Sequence, residues 1–423
     1  MTVYVFGLGH IGLPMACWIA SANTPVYGID INDQAIKNIK QGKVNIEEYR
    51  NEIHISQVAK NLISKNLLNV TSKFKRVDDT PSIFVISVGI ANREDGSQDV
   101  SPIESVLDTI TPTLVDGDLL IFRTTLIPGT CDNLILPKLK SLDVSVSLAY
   151  CPETLMETKA FEELENNPMI LAGMDDNSFN KAKNFISSLT DAPIYKASNI
   201  RTAEMTKVIQ NINRDVNIAL VNEISEATAL LDIDIYELQT LVNTHPRVTL
   251  LTPGPGVGGY CLPNAFEYLD KAILYKEKCP LTLIRTARQL NIERPKKIVE
   301  LIKTALNNEE KNIKESTIAL IGLAMKDFCA DCRFSPALDI ASLLIEEGAN
   351  VQAYDPMVPL NYNYQVATLE ECVKNTDCIV ITANQEGVIS QLNQLHRDNK
   401  LPLIVIDTRN IFPSFPDIKL YKL

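Results

Sequence analysis

A glycine-rich loop between two short apolar runs, at the start of the chain, constrains the fold more than any other feature. The β-rich run 2–6 is followed by Gly7-Leu8-Gly9-His10-Ile11-Gly12, a helical pattern, a second apolar run at 25–29 and then Asp30. This order is typical of a βαβ unit. The glycines permit a tight turn and close approach of a pyrophosphate to the helix N-terminus, while an acid after the second strand suits a ribose hydroxyl. The sequence therefore predicts a dinucleotide site; a glycine loop that binds nothing is the alternative.

Apolar runs continue through the first half of the chain. They predict further strands at 83–88, 119–122, 144–148 and 169–172, separated by helical or irregular stretches. Strands that alternate with helices are typical of a doubly wound parallel sheet. We expect a Rossmann-like domain over residues 1–198.

The pattern changes near residue 201. No glycine or proline occurs in 201–231, and apolar residues recur there at helical spacing, which predicts one helix roughly 45 Å long. More helix is predicted from about 265 to 306, giving a central domain over 199–306.

Beyond the polar run 307–316, the sequence repeats the pattern of the N-terminal segment: a strand, a loop, a helix, a second strand and then an acidic residue. It places predicted strands at 317–321, 351–354, 379–382 and 403–406. The predicted fold class is α/β, with two Rossmann-like doubly wound parallel-sheet domains joined by a central helical domain with one long helix. The last domain is expected over 307–423.

Composition and charge exclude several classes of protein. The 423 residues carry a net charge of −12, so no broad basic surface is expected for nucleic acid. The first basic residue is Lys37, unlike in a signal peptide, and no apolar run approaches the roughly 18 residues of a membrane span. Nine cysteines are too few for a disulfide scaffold, and the single CxxC, from Cys329 to Cys332, lacks a second pair. We expect a cytoplasmic protein with no metal and no nucleic-acid or membrane partner.

Three further motifs carry chemically active side chains, each with two interpretations. Cys261 follows a loop with four glycines in the six residues 254–259, and is either a nucleophile or a buried small thiol. Lys207, Asn211 and Arg214 share one helix face, which suits an oxyanion or phosphate but also a solvated stripe. Glu153, in Cys-Pro-Glu after a predicted strand, is either a general base or a surface carboxylate.

Taken together, these motifs resemble those of the UDP-glucose/GDP-mannose dehydrogenase family, in the same order and over essentially the whole chain. The segments that carry the resemblance are 7–14, the threonine-containing loop 124–130, the Pro-Glu motif at 151–153, the cysteine loop 258–261, and 322–326, 333–337 and 354–356 in the last domain. Segments 213–223 and 245–248 look most like the branch that acts on N-acetylated UDP-hexosamines. The resemblance implies NAD as cofactor and a UDP-sugar as substrate. UDP-N-acetylmannosamine is the first choice, and UDP-N-acetylglucosamine and UDP-glucose are the alternatives.

The family reaction oxidises the sugar C6 hydroxyl to a carboxylate in two hydride transfers, through a cysteine thiohemiacetal and thioester. The resemblance implies Cys261 as nucleophile, Lys207 and Asn211 at the oxyanion, and Glu153 with Thr125 in thioester hydrolysis. The implied cofactor-binding residues are Gly7, Gly9, His10, Ile11, Gly12, Asp30, Val88 and Thr125. The implied substrate-binding residues are Glu157, Arg214, His245, Arg247, Gly258, Gly259, Tyr260, Lys326 and Arg333. A homodimer is expected, because the apolar positions of 201–231 exceed the single stripe that one core requires.

Three positions depart from the family pattern. Ala265 stands where an aspartate usually follows the cysteine, Ile90-Ala91 replaces a threonine-proline pair, and Thr154 replaces a basic residue that often follows Pro-Glu. The resemblance implies a water relay between a lysine and this aspartate. The missing aspartate puts that relay in question but does not affect the covalent chemistry. Two other functions are weighed: a two-electron dehydrogenase, which has no need of Cys261, and a non-catalytic nucleotide-sugar-binding protein, which Ala265 alone favours.

Overall fold

The computed structural model describes residues 1–93, 97–156, 158–273 and 279–423. Two compact units form within the chain. The first comprises Met1–Gln210 and Glu267–Lys278, and the second comprises Asn211–Phe266 and Cys279–Leu423. Over the described ranges, each helix is too short or too polar to traverse a bilayer.

The first unit is built on an eight-stranded sheet with a separate small hairpin. The strands are β1 (Val3–Phe6), β2 (Val26–Ile29), β3 (Tyr49–Arg50), β4 (Ile53–His54), β5 (Leu68–Thr71), β6 (Ile83–Ile86), β7 (Leu119–Phe122), β8 (Ser147–Tyr150), β9 (Met169–Gly173) and β10 (Ile194–Lys196). The sheet order is β10-β9-β8-β7-β6-β1-β2-β5, and β3 pairs with β4. Every pair in the large sheet is parallel except β8 with β9.

Helices cover this sheet and bury its central strands. They are α1 (Gly12–Ser21), α2 (Asp33–Gln41), α3 (Ile55–Ser64), α4 (Ser101–Ile110), α5 (Leu136–Lys140), α6 (Ala160–Asn166) and α7 (Asp176–Ser187). Strands β1, β6, β7 and β8 are buried at every position, because apolar clusters lie on both sheet faces. Local signals set the helix ends: the Asn32 side chain caps the first turn of α2, which stops at Gly42 in the left-handed region.

A 30-residue helix, α8 (Ile200–Ala229), begins in the first unit and ends in the second. The remaining helices are α9 (Ile235–Val242), α10 (Cys261–Ile273), α11 (Thr282–Asn307), α12 (Pro336–Glu346), α13 (Leu369–Val373) and α14 (Val388–Arg397). The second unit also contains a parallel sheet whose strands are β11 (Thr317–Ile321), β12 (Asn350–Tyr354), β13 (Cys378–Ile381), β14 (Ile404–Asp407) and β15 (Lys419–Lys422). Its order is β12-β11-β13-β14-β15.

The predicted fold class is confirmed: the sheet of the first unit is parallel except between β8 and β9, the sheet of the second unit is parallel, and a long helix lies in the middle of the chain. The helix predicted from about 265 to 306 is present as two separate helices, α10 and α11. Pro280 and Leu281 precede α11, and Leu281 lies in the left-handed region (φ 46°), which a continuous helix cannot accommodate. The strand predicted at 144–148 is Ser147–Tyr150, because the residues that pair with β7 begin at Ser147.

Candidate active site

The first glycine loop has the geometry of a dinucleotide cradle. Gly7 lies at φ 85°, and a Cβ on Gly12 would stand 1.7 Å from the Gly7 carbonyl oxygen, so both positions require glycine. A Cβ on Gly9 would meet no atom of the described residues within 4 Å, which leaves that side of the loop open to a ligand. The first turn of α1 carries no acidic residue and no side-chain cap, so its dipole favours an anion.

Asp30 is fixed beside this loop by the backbone. Its Oδ2 accepts a hydrogen bond from Leu8 N (2.8 Å) and its Oδ1 accepts one from Asn32 N (2.9 Å). Each carboxylate oxygen retains a second lone pair, so a ribose hydroxyl can still donate to it. Val88 packs against this loop, since a Cβ on Gly7 would lie 2.9 Å from Val88 Cα. His10 is exposed and Ile11 is half-buried on the same loop. These residues fit NAD.

The structure brings the threonine loop and the Pro-Glu motif together at the carboxyl ends of two neighbouring strands. Phe122 of β7 pairs with Tyr150 of β8, and the two motifs follow directly. Tyr150 Oη donates to the Thr124 carbonyl (3.0 Å), and Thr124 Oγ1 donates to the Val88 carbonyl (2.9 Å). Residues after adjacent parallel strands share one sheet edge, which is where α/β proteins bind ligands.

Gln98, which the sequence analysis missed, holds the threonine loop. Its Nε2 donates to the Thr125 carbonyl (2.9 Å) and its Oε1 accepts from Ile127 N (3.2 Å). The Gln98 side chain is buried, so these contacts are shielded from water. Thr125 itself is half-buried.

Glu153 is buried, so the alternative of a surface carboxylate is wrong. Its Oε2 accepts from Arg123 Nε (3.1 Å) and Nη2 (2.8 Å), and its Oε1 accepts from Leu155 N (2.8 Å). Sequence reasoning also missed Arg123, although a charged residue directly after an apolar strand was a usable signal. Glu157, the neighbouring substrate candidate, lies outside the described residues.

The end of the threonine loop is attached to α8. The Glu204 carboxylate accepts hydrogen bonds from Gly129 N (2.5 Å) and Cys131 N (2.9 Å) and is fully buried. Burial raises the pKa of Glu204 despite these two donors. Lys207 follows on the same helix and is half-buried. This contact therefore links the segment after Thr125 to the helix that carries Lys207.

In the second unit, the structure joins two of the predicted catalytic residues. Cys261 is the first residue of α10 and is exposed, and Asn211 Nδ2 donates to the Cys261 carbonyl oxygen (3.3 Å). Asn211 is buried, and the second N–H of its amide remains for a substrate oxygen. Peptide dipoles at a helix N-terminus favour negative charge, which suits a thiolate. Arg214, two turns beyond Lys207, is exposed.

Burial separates Cys261 from most other cysteines of the chain. Six of the nine are buried: Cys17, Cys131, Cys151, Cys329, Cys372 and Cys378. Burial raises the pKa of Cys17 and of Cys372 to about 12, so these thiols stay protonated and unreactive near neutrality. Cys261 and Cys279 are exposed.

The glycines before Cys261 are required by protein packing. A Cβ on Gly258 would lie 2.6 Å from the Phe334 carbonyl and 2.8 Å from Met325 Cβ, and one on Gly259 would lie 2.5 Å from Met325 Sδ. Gly259 also lies at φ 76°. The sequence analysis expected these glycines to allow close approach of a ligand. Packing of the last domain against the loop is a second reason for glycine at these positions.

Several substrate candidates cluster beside this loop. Gly259 N donates to the Arg333 carbonyl (2.9 Å), and the Arg333 guanidinium lies 4.9 Å from the Tyr260 ring centroid. Arg333 also forms an ion pair with Asp331, and this pair fixes the orientation of the Arg333 guanidinium group. Lys326 is half-buried, and His245 and Arg247 lie on an exposed turn after α9.

The chain matches family models of known proteins along most of its length. Residues 1–189 match the NAD binding domain, 201–293 the central domain and 319–414 the UDP binding domain of the UDP-glucose/GDP-mannose dehydrogenase family. The chain is 31% identical over 415 residues to UDP-N-acetyl-D-mannosamine dehydrogenase of Methanococcus maripaludis, covering 97% of this chain and 92% of that protein. The chain belongs to the UDP-glucose/GDP-mannose dehydrogenase family.

Other members of this family are similar over nearly their full lengths. The UDP-N-acetyl-D-mannosamine dehydrogenase of Pyrococcus horikoshii is 35% identical over 422 residues, with 98% of this chain and 97% of that protein covered. A solved structure of UDP-D-ManNAc dehydrogenase from the same organism superposes with a TM-score of 0.89 at 33% identity, covering 100% of this chain and 99% of that one. This family member is accordingly an NAD-dependent nucleotide-sugar dehydrogenase. The position of the usual family aspartate is occupied by Ala265, which is buried on α10 one turn after Cys261.

Proposed function

We propose that this chain oxidises the C6 hydroxyl of a UDP-N-acetylhexosamine, first of all UDP-N-acetylmannosamine, to the uronic acid. The observation that carries this proposal is the placement of Cys261, exposed at the start of α10 with its carbonyl held by Asn211, while six other thiols are buried. An exposed cysteine at a helix N-terminus is suited to covalent chemistry. The names of the relatives support the choice of sugar.

The first half of the reaction produces an aldehyde and captures it. NAD, when bound, would supply the hydride acceptor for both oxidations at C6. Lys207 takes the hydroxyl proton of the substrate, and Lys207 and Asn211 stabilise the negative charge on the oxygen. The Cys261 thiolate then adds to the aldehyde carbon, and the carbonyl electron pair moves to oxygen, giving a thiohemiacetal.

The second half releases the acid. Loss of hydride from the same carbon restores the carbonyl and leaves a thioester on Cys261. Glu153, with Thr125 nearby on the adjacent strand end, accepts a proton from water as the water oxygen attacks the acyl carbon. The carbon–sulfur bond breaks, its electron pair returns to sulfur, and a carboxylate is formed. Each sugar thus consumes two NAD and one water.

The cradle around Gly7, Gly9 and Gly12 would hold the cofactor pyrophosphate, and Asp30 would bind the ribose. Arg333, stacked on Tyr260 beside Gly258 and Gly259, is placed to bind the diphosphate or sugar, because a guanidinium fork suits phosphate oxygens. We assign Lys326, Arg214, His245, Arg247 and Glu157 to the substrate as well, on their match to the family motifs.

Helix α8 supports a homodimer. Ile209 and Leu220 are 44% and 46% exposed, and with the half-buried Val216 they lie at i, i+7 and i+11 on one face. An apolar stripe of this kind on a soluble protein favours burial against a second copy.

Incubation with a panel of UDP-sugars and NAD tests the reaction directly. We expect two NADH per sugar and a product with the mass of the uronic acid, fastest with UDP-N-acetylmannosamine. One NADH with an aldehyde or ketone would establish the two-electron alternative. No turnover with any sugar, despite binding, would support a non-catalytic binding protein.

Cys261→Ser tests the nucleophile. The hydroxyl is a far weaker nucleophile than a thiolate, so acid formation should fall by about 100-fold or more while NAD and sugar still bind. Cys279→Ser, at the other exposed cysteine, is the matched control and should retain the wild-type rate. Acid formation and bound adducts are measured by mass spectrometry, and wild-type acid production by Cys261→Ser would exclude the covalent route.

A further inference from the structure

We propose that Arg123 is a positioning residue that keeps Glu153 ionised and oriented, so that thioester hydrolysis depends on the Arg123–Glu153 pair and not on Glu153 alone. This inference rests on the hydrolytic role proposed for Glu153 above. Nothing in the motif pattern of the sequence assigns a role to Arg123.

The contacts between the two residues are extensive. Arg123 donates twice to Glu153 Oε2, at 3.1 and 2.8 Å, and its Nη1 lies 3.4 Å from Cys151 Sγ. The backbones are joined as well, because Glu153 N donates to the Arg123 carbonyl (3.3 Å). Both side chains are buried, with Arg123 4% and Glu153 8% exposed. Two ends of neighbouring strands are thus held in one register by both main chain and side chains.

The charges of the pair are matched inside the protein. Burial is the largest influence on the pKa of Arg123 and lowers it, but Glu153 and the other neighbouring groups together outweigh burial, so the pKa of Arg123 lies above its ordinary value. Cys151 and Tyr150 face the same guanidinium, and burial raises the pKa of both, so they remain neutral near pH 7. Arg123 therefore supplies the positive charge that a buried carboxylate requires.

The orientation of Glu153 is fixed without blocking it. One carboxylate oxygen accepts from Arg123 and the other from Leu155 N, which together determine the plane of the group. Oε2 already accepts two hydrogen bonds from Arg123, but Oε1 accepts only from Leu155 N and has a further lone pair, so a water can still donate to Glu153. Position 154, directly after Glu153, is threonine, and the cation beside the carboxylate is Arg123 from the adjacent strand end.

Loss of the arginine should therefore change the protonation of Glu153 and not merely the stability of the fold. A buried carboxyl without a cation holds its proton to higher pH, and a protonated Glu153 cannot accept a proton from water. In Arg123→Met we expect kcat at pH 7 to fall about tenfold or more, with the acid limb of the kcat profile displaced upward by about one pH unit or more. KM for the sugar and NAD should change less than about threefold, because the substitution acts on a hydrolytic step.

Two companion variants make the result specific. Arg123→Lys, which restores the charge, should return the acid limb to within about half a unit of wild type. Arg123→Met combined with Glu153→Gln should be no slower than Glu153→Gln alone, since the arginine is proposed to act through the carboxylate. A uniform loss of activity at all pH values in Arg123→Met, not rescued by Arg123→Lys, would overturn the proposal.

A second measurement is independent of catalysis. The unfolding free energy of Arg123→Met, minus that of the double variant, should decrease as pH rises from 5 to 8, because the protonated Glu153 of the folded state must lose its proton. A pH-independent difference would show that Arg123 does not control this carboxylate, and would overturn the proposal. Full turnover by Glu153→Gln would instead remove Glu153 from the hydrolytic mechanism, whatever the linkage between the two residues.

Discussion

Thiol chemistry at the residue scale is governed by burial. The attacking species is the thiolate, so a cysteine whose pKa is about 12, such as Cys17 or Cys372, is about one part in ten thousand ionised at pH 8. Cys261 and Cys279 are exposed to solvent. The fold thereby leaves the proposed nucleophile accessible while suppressing side reactions at most other thiols.

Alkylation of the native protein should follow this division. At pH 8, iodoacetamide should modify Cys261 and Cys279 at least about 100-fold faster than Cys17 or Cys372. Raising the pH should reduce the difference in modification rate between the exposed and the buried cysteines, since the ionised fraction of a thiol with raised pKa increases with pH. Peptide mass mapping against reaction time provides the measurement. Rapid labelling of Cys17 in folded protein would contradict the expectation.

We expect a single side chain, Asp30, to decide the choice between NAD and NADP. Asp30 would repel the additional phosphate of NADP, and the next two residues, Ile31 and Asn32, offer no guanidinium to bind it. We expect Asp30→Ala to weaken NAD binding more than NADP binding. Titration calorimetry with both nucleotides measures this. Equal or better catalytic efficiency of the unmodified protein with NADP would contradict it.

Much of the candidate site was predictable at the residue scale, because its motifs can be recognised from residue type and spacing. Asn211 and Cys261 came from separate segments, and the structure joins them. The partners that hold such residues were not predictable in the same way. Gln98 and Arg123 act through contacts between segments far apart in sequence, and only the strand order places them beside Thr125 and Glu153.

At the scale of elements, the loop before Cys261 is tightly constrained by packing. Gly258→Ala would place a methyl group 2.6 Å from the Phe334 carbonyl, so backbone would have to move. We expect a loss of about 1–3 kcal/mol in unfolding free energy and slower alkylation or turnover at Cys261. Gly89→Ala is the control, because its Cβ would meet no described atom within 4 Å and should cost less than about 0.5 kcal/mol. Chemical denaturation measures both, and equal stability of the two variants would refute the packing argument.

Strands with continuous apolar runs were predicted to within a few residues, and Leu119–Phe122 was predicted in full. Three short edge strands were missed: Leu68–Thr71, Ile194–Lys196 and Lys419–Lys422. Edge strands are only partly covered, so their sequences alternate with polar residues and lack the apolar run of a central strand. The helix break before Thr282 was also missed, although Pro280 was a local signal for it.

At the scale of the whole molecule, the stripe on α8 predicts the oligomeric state. Leu220→Asp would introduce a charge into the proposed dimer interface, so we expect monomers at micromolar concentration and reduced activity. Leu360→Asp, at a position 62% exposed in the last domain, is the control and should remain dimeric. Light scattering coupled to gel filtration distinguishes the two. A monomeric unmodified protein over the same concentration range would exclude this interface.

The tight fit of Gly258 and Gly259 against Met325 and Phe334 limits how such enzymes can diversify by recombination. The loop 254–261, which carries the proposed nucleophile, packs so closely against Met325 and Phe334 that added side chains would not fit, so we expect the loop and the last domain to be inherited together. Chimeras that exchange the last domain between relatives should therefore retain function only when residues 254–261 are exchanged together with that domain. We would then expect substrate range to change through small, mutually compensating substitutions in residues 254–261 and in the last domain.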